Sequence, residues 1–404
     1  MDTSAAVRSA LAALDGAHDL GAVVARDDEL VLQSAASLDD APVGEVAASA
    51  QPLRGRAVTV KDWLDVVGFA CEGEEPERTG RRPTRDATAV ARLRTAGAVV
   101  VAKTQPGADH PIHGRCHHPH DASRTPGGSS SGEAALIGRG ASTLGLGSDS
   151  GGSIRLPAAW CGAMGFKPSF GLVPTTGHFP RVGGHADGRT VIGPMASELA
   201  DIETALRMIV GPDGVDPSCV PATIGDPTVV DIGALRVAVM PEEPAWPVAD
   251  STRDAVRRAV DTLVDRGAVI VESALPLDLS ESFDITQRYW TRSGLTGAQA
   301  DRQLWDWDRF AGRLHRATAD FDVVLGPVVG DVAPMARPMT GEDYVFTLPW
   351  SLTGWPAMSL PMGADPTTGL PLAVQIIAPR WHDHVVLAVA AAIDAAVRPA
   401  SSAR

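Results

Sequence analysis

Lysine is nearly missing from this 404-residue chain: of 35 basic residues, only Lys61, Lys103 and Lys167 are lysines and the rest are arginines. Arginine stays protonated in a protein, whereas a desolvated lysine can become a neutral amine and take up a proton. A chemical need at one or more of the three positions therefore stands against the plainer reading of compositional drift. Cysteine is scarce too. Cys71, Cys116, Cys161 and Cys219 are too few for a disulfide scaffold, and no two of them form a C-x-x-C pair. Excess positive charge is lacking: the formal net charge is −14, which disfavours direct contact with a nucleic-acid backbone. No uncharged apolar run reaches the roughly 18–20 residues a membrane helix needs. The opening, MDTSAAVRSALAALDGAHDL, has neither the basic head nor the unbroken apolar stretch of a secretory signal. A cytoplasmic location, with no membrane and no nucleic-acid partner, is the expectation.

What is present is ordinary globular material, 44% apolar and 21% charged, long enough for two average domains or one large α/β domain. Residues 1–50 read as a helical, Ala-rich region, with Val7, Leu11 and Leu14 at helical spacing. Arg56–Val60 reads as a strand ending at Lys61, Asp86–Ala96 as an amphipathic helix, and Ala98–Val101 as a strand. Further on, helices are expected over Ser197–Val210, Ser251–Gly267 and His384–Val397. Strands are expected over Leu235–Met240, Ala268–Glu272, Phe321–Leu325 and Leu372–Ile377. This alternation argues for an α/β fold.

Between Thr125 and Gly177 the texture becomes dense in glycine and serine, broken by a helical segment at Glu133–Arg139. Such a tract inside a folded domain signals tight turns or close approach of backbone to a ligand. Gly128–Gly132 fits the G-x-S-x-G nucleophile elbow, but the polar HDASRTPG before it is not the buried strand that motif needs. The Lys-Ser/Thr pair of a P-loop is absent, and Gly145, Gly147 and Gly151 are misspaced for a dinucleotide fingerprint.

The whole tract resembles the amidase signature family. The resemblance rests on GGSSSG (127–132), LGLGSDSGGSIRLPAAWCG (144–162), GFKPSFGLVP (165–174) and GPMA (193–196). Upstream it rests on LRGRAVTVKDWLDVVG (53–68) and ATAVARLRTAGAVVVAKT (87–104), and downstream on PWSLTGWPAMSLPMG (349–363) and GLPLAVQII (369–377). Residues 212–320 match poorly. The resemblance implies one α/β/α domain over residues 1–404 with a large mixed sheet. Within it lie a catalytic core at 53–210, a variable substrate-pocket region at 212–345 and C-terminal core segments at 346–404. It also implies a Ser–Ser–Lys triad, with Ser153 as nucleophile bridged by Ser129 to Lys61, and a cis peptide bond between Gly128 and Ser129. The chain departs from the family pattern at Trp63, Ser197-Glu198 and Gly326-Pro327.

A physical case stands beside the resemblance. A serine hydroxyl is a weak nucleophile until a base takes its proton. Lysine can be that base if burial lowers its pKa of about 10.4 by several units, and the apolar neighbours Ala57, Val58, Val60, Trp63 and Leu64 favour this at Lys61. Ser129 can donate and accept at once, as a relay requires. The backbone N–H groups of Ser150, Gly151, Gly152 and Ser153 can converge on an oxyanion; the competing reading of Ser153 is a helix N-cap. Asp149 and Arg155 are expected to bracket the loop as an ion pair, with substrate binding by Arg155 as the alternative.

Ser130, His178, Trp305 and Trp350 are candidate substrate contacts, the two tryptophans being part of a broader aromatic set from Phe283 to Trp350. His110, His113, His117, His118 and His120 crowd together with Cys116, but their spacing lacks the paired, separated ligands of a zinc site. Loop packing or a substrate-facing rim is expected there, as at His178 and His185. Lys103 and Lys167 are assigned to structure.

The expected activity is hydrolysis of a carboxamide C–N bond through an acyl-enzyme, needing no cofactor and no metal. The partner would be a small-molecule amide, and a homodimer is compatible with the sequence. Two rivals stay open: a glutamine-hydrolysing subunit of an amidotransferase, and a transacylase passing the acyl group to an amine.

Overall fold

The β-branched run Ala57–Lys61 forms a strand buried along its last four residues, and the sheet grows outward from it. The computed structural model describes residues 2–41, 51–182, 187–271 and 275–397. In chain order the strands are β1 (Val23–Ala25), β2 (Ala57–Lys61), β3 (Val99–Thr104), β4 (Asp109–His110), β5 (Gly114–Arg115), β6 (Leu144–Asp149) and β7 (Met164–Lys167). They continue with β8 (Val191–Ala196), β9 (Arg236–Val239), β10 (Val269–Ile270), β11 (Val323–Pro327), β12 (Ala357–Ala364) and β13 (Pro371–Ile377). Eleven of them form one sheet in the order β1-β3-β2-β6-β8-β7-β12-β13-β11-β9-β10, while β4 and β5 pair as a separate hairpin.

The large sheet is mixed. β2 runs parallel to β3 and to β6, and β9 parallel to β10 and β11, whereas β8 is antiparallel to both β6 and β7. Strands buried on both faces require helices on both sides, and β3, β6, β8 and β11 are buried at every residue. The α/β expectation therefore holds as a mixed sheet clothed in helices.

Local chemistry sets the helices. Asp2 caps α1 (Thr3–Gly16) by accepting the Ala5 N–H, and Val7, Leu11 and Leu14 turn its apolar stripe inward. Asp27 caps α2 (Asp28–Asp40) through the Leu30 N–H. The helix expected at 86–96 is α3 (Thr88–Thr95), and that at 133–139 is α4 (Ser131–Gly138). Then come α5 (Arg155–Cys161), α6 (Leu199–Ile209), α7 (Asp250–Val264), α8 (Leu279–Trp290), α9 (Gly297–Ala317), α10 (Leu348–Leu352) and α11 (Asp383–Val397). Residues 42–50 of the expected N-terminal helical region, the strand end at Glu272 and the rim candidate His185 lie outside the described residues. Among the described residues no helix is long and apolar enough to cross a membrane.

Two features of this topology position the site. The register pairs Thr59 with Gly145 and Val60 with Leu146, so Lys61 ends β2 next to the middle of β6, which runs on to Asp149. The glycine- and serine-rich segments leave the sheet nearby: Ser129 and Ser130 lead into α4, and residues 150–154 lead from β6 into α5.

Candidate active site

Lys61 is fully buried, and its amine sits among three hydroxyls: Ser129 Oγ at 2.8 Å, Ser148 Oγ at 3.2 Å and Ser130 Oγ at 3.3 Å. No carboxylate is ion-paired with it among the described residues. Burial pulls its pKa down, against the more distant carboxylates Glu74, Asp149 and Glu133, to about 7. The indole of Trp63 covers the amine with its ring centroid 3.9 Å away.

The other two lysines separate cleanly from it. Lys103 forms an ion pair with Asp62 at 3.3 Å and donates to the Leu64 carbonyl. Lys167 donates to the Trp355 carbonyl at 2.7 Å, and burial lowers it to about 7 as well. A depressed pKa thus does not single out Lys61; its serine partners do. The assignment of Lys103 and Lys167 to structure agrees with these contacts.

Ser129 and Ser153 are both half-buried and line the same cleft, of about 430 Å³, together with Ser150 and Gly151. The Gly128–Ser129 peptide is cis. Tyr344 donates to the Gly128 carbonyl at 2.9 Å and lies beside the Ser153 side chain. The N–H groups of Gly151, Gly152 and Ser153 have no protein acceptor among the described residues, which leaves them available to a developing anion. Gly152 holds φ at +142°, and a Cβ there would fall 2.2 Å from Thr347 Oγ1, so only glycine fits.

Beneath this loop Asp149 and Arg155 form a fully buried bidentate pair, with Nη2–Oδ1 and Nε–Oδ2 both at 2.9 Å. Arg155 also donates to the Thr347 carbonyl, Gln375 Oε1 and Ser351 Oγ, at 2.8–2.9 Å. Burial raises the Asp149 pKa, but Arg155 more than offsets this and holds it below the usual carboxylate range. The guanidinium is committed to the protein, so Arg155 braces the loop and is not a substrate contact. Behind β2, the buried Glu133 accepts hydroxyls from Thr59 at 2.5 Å and Thr104 at 2.8 Å, tying α4 to two strands. Burial lifts its carboxyl to about 7.

The amidase family profile matches residues 5–300 and 285–387. The chain belongs to the amidase family. A glutamyl-tRNA(Gln) amidotransferase subunit of Anaeromyxobacter sp. (strain K) is 30% identical, over 94% of this amidase and 92% of that protein. The corresponding protein of Methanococcoides burtonii is 28% identical, over 88% and 87%. Among solved structures, a vestigial protein complex bearing on the origins of an s-triazine catabolic enzyme superposes with a TM-score of 0.86 at 25% identity, covering 98% of this chain and 96% of that one. A bacterial aryl acylamidase shares the fold, with a TM-score of 0.84 at 21% identity over 99% and 94%. The amidase is thus an amide-hydrolysing enzyme by family. The profile match also runs through residues 212–320, where the motifs alone are weak.

Several sequence expectations need correction in the amidase. Ser130 is fully buried against Lys61 and donates to the Ser148 carbonyl, so it belongs to the lysine's surroundings rather than to a substrate surface. Trp350 is fully buried on α10 and stacks on Trp355 at 5.8 Å, because every residue of that short helix faces the core. Trp305 is 62% exposed on the outer face of α9. His178 does line the cleft: its Nδ1 meets the Pro180 carbonyl at 2.9 Å, its Nε2 has no partner among the described residues, and burial lowers it to about 4.

The histidine cluster is spent on loop packing. His118 Nε2 pairs with the Trp160 carbonyl at 2.9 Å and His120 Nε2 with that of Cys161 at 3.2 Å, while His113 pairs with Glu72 at 2.6 Å. No group of three His, Cys, Asp or Glu side chains is placed to hold a metal among the described residues.

Sequence reasoning missed Ser148, Asp187, Arg189 and Arg292, and left Trp290 and both tyrosines inside an undifferentiated aromatic set. All of these line the cleft. One usable signal was tyrosine scarcity: the chain has two, Tyr289 and Tyr344, and both are in the cleft wall.

Proposed function

We propose that the cleft hydrolyses a small carboxamide by acyl transfer to Ser153, with Ser129 and Lys61 carrying the proton. Ser153 Oγ attacks the carbonyl carbon while its proton passes to Ser129 Oγ and the Ser129 proton passes to Lys61 Nζ. The N–H groups around Gly151 to Ser153 receive the oxyanion, and the relay then runs backwards to protonate the leaving nitrogen. Water repeats the cycle on the ester to free the acid. The three hydroxyls within 2.8–3.3 Å of Lys61 Nζ can serve a neutral amine, with Ser129 giving its proton to the lone pair and Ser130 and Ser148 accepting the two N–H groups. The observation that carries the reading is a buried lysine poised near pH 7, 2.8 Å from a serine that shares its cleft with Ser153. Strands from both ends of the chain build the one sheet under this cleft, which supports a single catalytic unit over residues 1–404.

The test is labelling with a fluorophosphonate probe followed by peptide mass spectrometry. The label is expected on Ser153 and is expected to be lost in Lys61→Ala. Ser153→Ala is expected to lower amide turnover by roughly 10⁴-fold or more. Full turnover by Ser153→Ala, or labelling at another residue, overturns the proposal.

The relatives' names support a second reading, a glutamine-hydrolysing subunit of an amidotransferase. That reading requires ammonia release from glutamine to depend on a co-purifying second chain. Activity of the isolated chain on simple amides decides against it.

A further inference from the structure

The cleft wall holds a buried cation that the proposed chemistry does not use. Arg189 is 1% exposed and lines the cleft, yet its Nε and Nη1 have no hydrogen-bond partner, and no protein acceptor reaches its side chain among the described residues. The adjacent carboxylate does not fill that role. Asp187 Oδ1 accepts the Arg189 and Thr190 N–H groups at 3.0 and 3.3 Å and the Tyr289 hydroxyl at 3.3 Å, while Oδ2 accepts the Thr190 hydroxyl. Its capacity goes to backbone and hydroxyl donors, and it makes no ion pair with the guanidinium.

Aromatic rings hold Arg189 instead. Its Cζ lies 4.0 Å from the Tyr289 ring centroid, 5.6 Å from that of Trp290 and 5.7 Å from that of Trp307. A ring face attracts the charge but accepts none of the in-plane N–H groups. The stack therefore fixes the orientation of the guanidinium while leaving its planar fork unsatisfied. Burying such donors without an acceptor is unfavourable, so the arrangement points to an acceptor that arrives with a ligand. Carboxylate is the partner that matches the fork's geometry and charge.

Two further observations agree. The chain carries a net charge of −14, but its described cleft-lining residues include Arg181, Arg189 and Arg292 against Asp187 alone. The cation also lies close to the reactive loop: Trp290, one ring from Arg189, packs so tightly on Gly151 that a Cβ there would fall 2.9 Å from its Cζ2.

We infer that Arg189 is a carboxylate anchor, and that the substrates of this amidase are short amides bearing a free carboxylate near the scissile bond. This rests on the Ser153 reading above.

The experiment compares wild-type kcat/KM on matched pairs. One arm uses monoamides of short dicarboxylic acids against their methyl esters, and the other uses N-acyl amino acids against theirs. The expected result is a preference for the free acid in at least one arm, which also tells whether the charge rides on the acyl or the amine side. In Arg189→Met that preference is expected to fall roughly 10- to 100-fold, the range for losing a charged hydrogen-bonded contact. A wild-type enzyme that prefers the esters in both arms overturns the inference, as does a preference that survives unchanged in Arg189→Met. The wild-type comparison stands even if the variant misfolds. Ser153 labelling separates the two failures. A labelled enzyme without acid preference sinks this inference alone, whereas an unlabelled Ser153 sinks the catalytic reading beneath it.

Discussion

Two arginines flank the Gly151–Ser153 loop of this amidase, one beneath it and one in the cleft wall, and both are buried. Arg155 meets a carboxylate, an amide oxygen, a hydroxyl and a carbonyl, while Arg189 meets aromatic faces and has two nitrogens without a partner among the described residues. The floor has closed its hydrogen-bond ledger within the protein, and the wall has not. A satisfied buried cation fixes the shape of a loop; an unsatisfied one fixes what the loop is presented with.

Breaking the floor should cost far more stability than breaking the wall. Arg155→Met strands the buried Asp149 carboxylate, and a loss of about 3–5 kcal/mol in urea unfolding is expected. Arg189→Met removes no hydrogen bond to a described residue, and a change within about 1 kcal/mol of either sign is expected from the same measurement. Equal losses in the two variants would erase the distinction between floor and wall.

A titration sharpens the comparison at Lys61, which the floor carries. Its amine is depressed to about 7, so the neutral form needed to accept a proton prevails above that pH and is lost as pH falls through it. On the acid side kcat/KM is expected to drop about tenfold per pH unit. A limb displaced to pH 9–10 would mean that the amine is not desolvated during turnover.

The smallest effect is expected outside both regions. Trp305→Ala, on the outer face of α9, should change stability and kcat/KM within about 0.5 kcal/mol. A large loss of turnover would return that tryptophan to the site.

The floor was legible in the sequence and the wall was not. Lys61, Ser129, Ser153 and the Asp149–Arg155 brace sit in short motifs where glycine and serine stand out against an ordinary background. Arg189 had no such contrast among 32 arginines, and its significance lies in the partners it lacks among the described residues. Tyr289, Trp290 and Tyr344 reach the cleft from segments 100 or more residues beyond the glycine tract, a convergence that only the fold makes visible. The exposure of Trp305 follows from helical periodicity. On α9, Trp307 shares a helical face with the buried Phe310 and Leu314, at spacings of three and four, while Trp305 lies on the opposite face. Trp307 indeed packs edge-on against Tyr289, 5.3 Å between centroids. Among the strands, β6 (LGLGSD) and β8 (VIGPMA) were hidden because glycine and proline break the β-branched pattern. Their burial between neighbouring strands overrides that local preference.

Lys61 and the loop after Asp149 emerge side by side from the parallel strands β2 and β6. Sheet pairing therefore sets their separation, and a slip of one residue would turn the lysine to the opposite face. Tyr289, Trp290 and Arg292 lie in and just after α8, outside that pairing. The proposed chemistry and the proposed selectivity thus lie largely on separate stretches of chain, so a library at residues 187–190 and 292, sparing Trp290 where it packs on Gly151, varies the wall while leaving Lys61, Ser129 and Ser153 in place.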